Sequence, residues 1–218
     1  EDFNDRLVII TRDELMAVVE KRVLGDVTRT LKNYYEKHED LPWLSPYSNP
    51  VTSESRGAKD TYAGHIPFNW SSDGNGIGGG NGVGGGNGIG DGQGSNNPNK
   101  DDNELPSWFV ENDWQEMVYA AYTESGDYLD CKTDCLKLSS ISDSGAKQSS
   151  DGIGALVMLS GKEINVQTGN RPSSDMSDYY ECKEVNGTSI CNNDGNDEFV
   201  SGKISNEFND RVRVLELN

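Results

Sequence analysis

Residues 11–38 read TRDELMAVVEKRVLGDVTRTLKNYYEKH, and the spacing of this stretch decides the fold class. Leu15, Val18, Val19, Val23, Val27, Leu31, Tyr34 and Tyr35 follow one another mostly at steps of three and four, which marks one face of an α-helix. Thr11 with Glu14 three positions on has the spacing of a capping box. Asp13 and Glu14 suit the positive end of a helix dipole. Lys32, Lys37 and His38 suit the negative end, and Leu41-Pro42-Trp43 stops the pattern. A helix of about 25 residues is expected, about 37 Å long at the standard rise.

Outward from this helix the apolar pattern becomes strand-like. FNDRLVII, residues 3–10, predicts a short strand before it. After it, Met117 to Tyr122 and Leu136 to Leu138 predict strands. Ile153 to Leu159, apolar throughout, predicts a central one. Gly161-Lys162 is expected to turn the chain, with Ile164 to Gln167 as a continuation. Phe208 to Leu217 is expected to close the sheet with Val212, Val214 and Leu217 inward. The fold class is therefore α+β: a long N-terminal amphipathic helix packed on an antiparallel β-sheet, with a glycine-rich insertion. Three stretches are expected. Residues 1–70 hold the first strand, the helix and a connecting loop, 71–104 the insertion, and 105–218 the β-rich remainder of the same domain.

The insertion contains GNGIGGGNGVGGGNGIGDGQG, residues 74–94, which repeats with a period of six. Asn75, Asn81 and Asn87 share one phase; Ile77, Val83 and Ile89 share another. Such a tract reads either as a flexible linker or as glycine helices with three residues per turn, in which asparagine and aliphatic ridges run side by side.

Charge narrows the function. Nineteen basic residues against 37 acidic ones give a formal net charge of -18, which repels nucleic acid and anionic membranes. No apolar run reaches the length that spans a bilayer, so no direct membrane span is expected. A start at Glu1 fits the mature end of a processed precursor, or a chain trimmed of an N-terminal anchor. Four cysteines fall in two close pairs. Two local disulfides, Cys131–Cys135 and Cys182–Cys191, are favoured over a zinc site, whose ligand spacings these are not.

Candidates for chemistry are few. GxSxG and HExxH are absent from the sequence. His38 is expected to serve the helix dipole and His65 a structural role. Asp175 and Asp178 are the carboxylates an acidic cleft would use, but no catalytic residue is expected, nor an enzyme. Calcium is the best small ligand: Asp194, Asn196, Asp197 and Glu198 offer oxygens around Gly195, the competing reading being a solvated turn.

The order of these parts resembles type IV pilins and type II secretion pseudopilins. The resemblance rests on the helix end LKNYYEKHEDLPW, the stretches WQEMVYAAY and GIGALVMLSGK, and the polar C-terminal region with its cysteines. FNDRLVII, FNDRVRVL and DYYE also resemble prepilin-type exported bacterial proteins. The family's apolar N-terminal helix half, with Glu at the fifth mature position, is not present, and Asp5 stands in another context. The resemblance implies a structural subunit of an extracellular pilus-like filament or its assembly apparatus. Its partners would be copies of itself, or a separate chain carrying a hydrophobic pilin-like helix. A calcium-dependent extracellular adhesin is the alternative. The paired FNDR phrases are expected to join two β-prone termini within one chain or across subunits.

Overall fold

Thr11 opens the long helix as the sequence requires. In a computed structural model, described for residues 9–46, 61–66, 105–142, 147–164, 171–185, 187–193, 197–205 and 207–217, its hydroxyl accepts from the Glu14 amide while the Glu14 carboxylate accepts from the Thr11 amide. The capping box thus satisfies two amides that lack helical partners. Helix α1 spans Arg12–His38 and ends at Glu39, whose backbone is left-handed and whose amide returns to the Tyr35 carbonyl.

The remaining elements are β1 Ala63–His65, α2 Ser107–Glu111, a 3-10 turn at Trp114–Glu116, β2 Val118–Tyr122, β3 Leu136–Ile141, β4 Lys147–Ile153 and β5 Ala155–Leu159. A second 3-10 turn at Met176–Asp178 follows, then β6 Cys182–Val185, β7 Thr188–Cys191, β8 Glu198–Ser201 and β9 Arg211–Val214. The class is α+β. One sheet has the order β1-β2-β5-β9 and is antiparallel throughout. A second, β4-β3-β8, is antiparallel at β3–β4 but parallel at β3–β8, which departs from the all-antiparallel expectation. β6 and β7 form a hairpin.

Strand β5 is buried along its whole length, as is β2 beside it. Strand alternation sends Ala155, Val157 and Leu159 into one hydrophobic cluster with Val23, Leu24, Val27, Leu31 and Tyr34 of α1. Leu156 and Met158 enter another with Tyr119, Tyr180, Leu136 and Phe199. The direction of α1 follows from its contacts. Asp13 pairs with Lys162 and Glu20 with Arg211 at one end of the sheet; Tyr35 stacks edge-on to Tyr128, itself beside Tyr122, at the other.

Several expectations change here. The apolar run 153–159 is split: Ile153 ends β4 and Ala155 begins β5, in different sheets. Gly154 makes the crossing because a Cβ there would strike the Tyr128 backbone. The closing strand is shorter than 208–217: Phe208 to Asp210 form an irregular approach and Arg211–Val214 pair with β5. Ile9 and Ile10 are not in a strand, and residues 1–8 lie outside the described residues. Ile164 likewise does not extend a strand; residues 165–167, like the glycine tract at 74–94, are not described.

The helix stripe also departs from expectation. Val23, Val27 and Leu31 are fully buried, but Leu15 is 56% and Val18 67% exposed, following Ile9 at 77% and Ile10 at 68%. Facing explains this: Met16, Val19 and Glu20 in the same turns are the covered positions, and at 3.6 residues per turn Leu15 and Val18 point to the other side of the helix. Leu31→Ala should therefore lower stability by about 3 kcal/mol, and Leu15→Ala by less than about 0.5 kcal/mol, in urea unfolding.

Candidate functional site

The C-terminal FNDR phrase, one of the two singled out in the sequence, is where the described residues concentrate buried polar chemistry. Phe208 is buried with Ile190 and Val200. Asn209 donates through its side-chain amide to the Lys162 carbonyl at 2.6 Å, and its amide group lies against Gly161, where a Cβ would not fit. Arg211 forms an ion pair with Glu20 of α1, itself nearly buried.

Asp210 is 1% exposed and sits beside Glu181, also buried. The contacts are reciprocal: the Glu181 amide donates to Asp210 Oδ2 at 2.9 Å and the Asn209 amide donates to Glu181 Oε2 at 3.0 Å. Asn192 completes the group. Its side-chain amide donates to Asp210 Oδ2 and to the Val200 carbonyl, and its oxygen accepts from the Val200 amide. Burial pushes the Asp210 carboxyl well above the usual carboxylate range, and the neighbouring Glu181 charge and hydrogen bond push the same way. Two carboxylates have no donor to offer each other, and a proton retained on Asp210 supplies one.

This clasp is anchored by a disulfide. Both local bridges expected from the sequence are formed, Cys131–Cys135 and Cys182–Cys191. Cys182 and Cys191 face each other across the β6–β7 hairpin, so Glu181 and Asn192 are held as immediate neighbours of one covalent link. Between the start of α1 and the FNDR segment lies a cleft of about 170 Å³ lined by Asp13, Met16, Glu20, Ile204 and Arg211 among others. Its charged walls are already paired, Asp13 with Lys162 and Glu20 with Arg211.

The sequence-derived candidates are dispersed. Asp194 and Asn196 lie outside the described residues. Asp197 and Glu198 are exposed; the Asp197 carbonyl accepts from the Lys137 amide, and the Glu198 carboxylate pairs with Lys137. No group of three or more potential metal ligands occurs among the described residues. Asp175 caps the second 3-10 turn through Ser177, which lowers its pKa. The Asp178 carbonyl accepts from Arg171, whose guanidinium also reaches the Gly161 and Tyr179 carbonyls. His38 stacks on Tyr34 in the last helical turn. His65 is buried in β1 with Nδ1 at 3.3 Å from the Val118 carbonyl, and burial lowers its pKa from 6.5 to about 4. The Glu181–Asp210 pair was missed because its partners are 29 positions apart in the chain. The repeated FNDR was the signal that pointed near it.

No helix among the described residues is long and apolar enough to cross a membrane. No family model matches this chain, nor does any curated protein or solved structure.

Two titrations with opposite signs follow. Asp210 binds its proton more tightly folded than unfolded, so its contribution is complete below about pH 4 and is lost as pH rises toward its folded value. Asp210→Asn keeps the donor without the proton and should raise the melting midpoint at pH 7 while flattening that slope. Asp210→Ala should lower the midpoint. His65 is the reverse: the unfolded chain takes up its proton first as pH falls from 6.5 to about 4. Stability should fall by about 3 kcal/mol across that window, and His65→Gln should remove the loss in pH-dependent urea melts.

Proposed function

We propose that this protein is a structural subunit of an extracellular pilus-like filament or of its assembly apparatus, acting by subunit packing and surface presentation. The observation that carries the reading is the apolar surface that the start of α1 turns away from the core. The helix's later turns share a core with β2 and β5, in the manner of a helix lying on a sheet, while Ile9, Ile10, Leu15 and Val18 present apolar surface at its start. Apolar groups gathered at one end of a long helix suit packing against another protein.

The two disulfides suit a non-reducing compartment, which agrees with export to the cell surface. The glycine repeat, inserted between β1 and α2, would be the presented part. The likeness of the helix end and of the strand stretches to pilins points the same way. In this reading the protein carries no catalysis: the buried carboxyl pair is sealed, and it serves to hold the chain's last strand in place. Its partners are copies of itself or a separate chain with a hydrophobic helix.

Electron microscopy of the concentrated full chain should show regular filaments. Leu15→Asp with Val18→Asp should abolish them while leaving the melting midpoint nearly unchanged, since both side chains are already in water. A parent chain that stays monomeric at every concentration, or filaments indifferent to this double change, would sink the reading.

A further inference from the structure

The two FNDR phrases share more than four letters. Phe208 fills an apolar pocket between the β6–β7 hairpin and β8, Asn209 holds Lys162, Asp210 enters the carboxyl clasp and Arg211 pairs with Glu20. Beyond them Val212 and Val214 pack on the second cluster, Arg213 stays exposed, and Leu215 is buried with its amide bonded to Ala155. Residues 3–6 are again Phe-Asn-Asp-Arg, and Leu7, Val8, Ile9 and Ile10 follow. In the same order, this octapeptide places an apolar side chain wherever the C-terminal one buries or half-buries one. The one change of character, Val8 for Arg213, falls at an exposed position.

The last two residues of the N-terminal phrase fill no such place in their own chain. Ile9 and Ile10, at the positions where Val214 and Leu215 are covered, stand in solvent. Nor can the phrase reach its own β9 site in register. Ile10 would have to lie beside Ala155, at the Tyr122 end of the sheet, where the last turns of α1 pack. But Ile10 directly precedes the helix cap, at the end where Asp13 meets Lys162. From Asp13 to Tyr35 the helix runs about 33 Å, which the single residue joining Ile10 to the helix cannot cover.

We propose that residues 3–10 are a second version of the β9 segment and take its place in another copy of this chain, displacing residues 208–215 there. The two segments are identical at four of eight positions and alike in character at three more, so exchange replaces most contacts with similar ones and costs little. The donor's N-terminus entering the acceptor's C-terminal site is a head-to-tail contact, which propagates as an open chain rather than closing as a symmetric pair. This rests on the filament reading for the high local concentration of copies that exchange requires, and it names how those copies join.

The test uses the full chain in two forms. One carries p-benzoylphenylalanine in place of Phe3 and natural isotopes; the other is the heavy-isotope-labelled parent. The two are mixed at assembling concentration, irradiated, digested and read by mass spectrometry. The expected crosslinks join position 3 of one copy to peptides holding Ile190 or Val200 of the other. Ile9→Asp with Ile10→Asp should reduce them about tenfold or more without moving the melting midpoint. Crosslinks confined to single molecules, directed elsewhere, absent, or undiminished by the double change would overturn the proposal. Filaments that form without the 3-to-190 or 3-to-200 link would leave the filament reading standing and remove the exchange. The mixed crosslink in short oligomers that never become filaments would do the opposite.

Discussion

Burial of β5 on both faces is the constraint from which the rest of the architecture follows. A five-residue strand with no solvent-facing side must be covered twice, and the two covers differ in kind. One is the aliphatic run of α1. The other is a tyrosine-rich layer from the second sheet and the approach to β6, in which the Tyr180 hydroxyl donates to the Met117 carbonyl. Tyrosine suits this layer because it supplies area and still satisfies its polar tip. Strands β2 and β9 flank β5, so the chain's last strand is fixed by the strand that both layers share.

That last strand is short, and four residue pairs in register would hold it weakly. The clasp before it supplies the rest. Asn209, Asp210 and Arg211 reach respectively to the loop after β5, to the base of the disulfide hairpin, and to the helix. A buried acid pair is a poor device for stability alone, because desolvation offsets most of its attraction. Its value lies in selecting one arrangement. Asp210 accepts from Glu181 and Asn192 and, while protonated, donates toward Glu181, so a strand slipped by one residue would leave those groups without partners. The disulfide sharpens this selection by fixing the separation of Glu181 and Asn192.

What could be read from the sequence divides along the same physical line. The helix, its cap and its stop were legible because their determinants are local: Thr11 and Glu14 are three apart, and the buried residues recur every three or four. Both disulfides were legible for the same reason. The split of 153–159 was not, since periodicity gives Ile153 and Ala155 one character; the Tyr128 backbone approaching Gly154 separates them. The exposure of Leu15 and Val18 was equally hidden. The first turns carry apolar residues on two sides, Met16 and Val19 on one and Leu15 and Val18 on the other, and spacing does not say which side the sheet covers. The carboxyl clasp depends on contacts between distant segments, and its members taken singly look like ordinary polar residues of loops.

The exposed aliphatics of α1 and the charge together restrict how copies of this chain would meet in the proposed filament. A formal charge of -18 opposes any broad approach of two like surfaces. An interface between them must therefore be compact and apolar, or must use backbone pairing, which is indifferent to sign. Both kinds of surface occur near the same end of the sheet. The exposed aliphatics at the start of α1 supply the first. The second is supplied by β9, an edge strand of its sheet among the described residues, which begins where Glu20 meets Arg211. Arg211 lies at this junction with its charge already paired to Glu20, so the local field is milder than the net charge suggests. An acidic surface and a small apolar patch beside paired charges are compatible in one molecule, because salt screens exposed charges beyond about 10 Å.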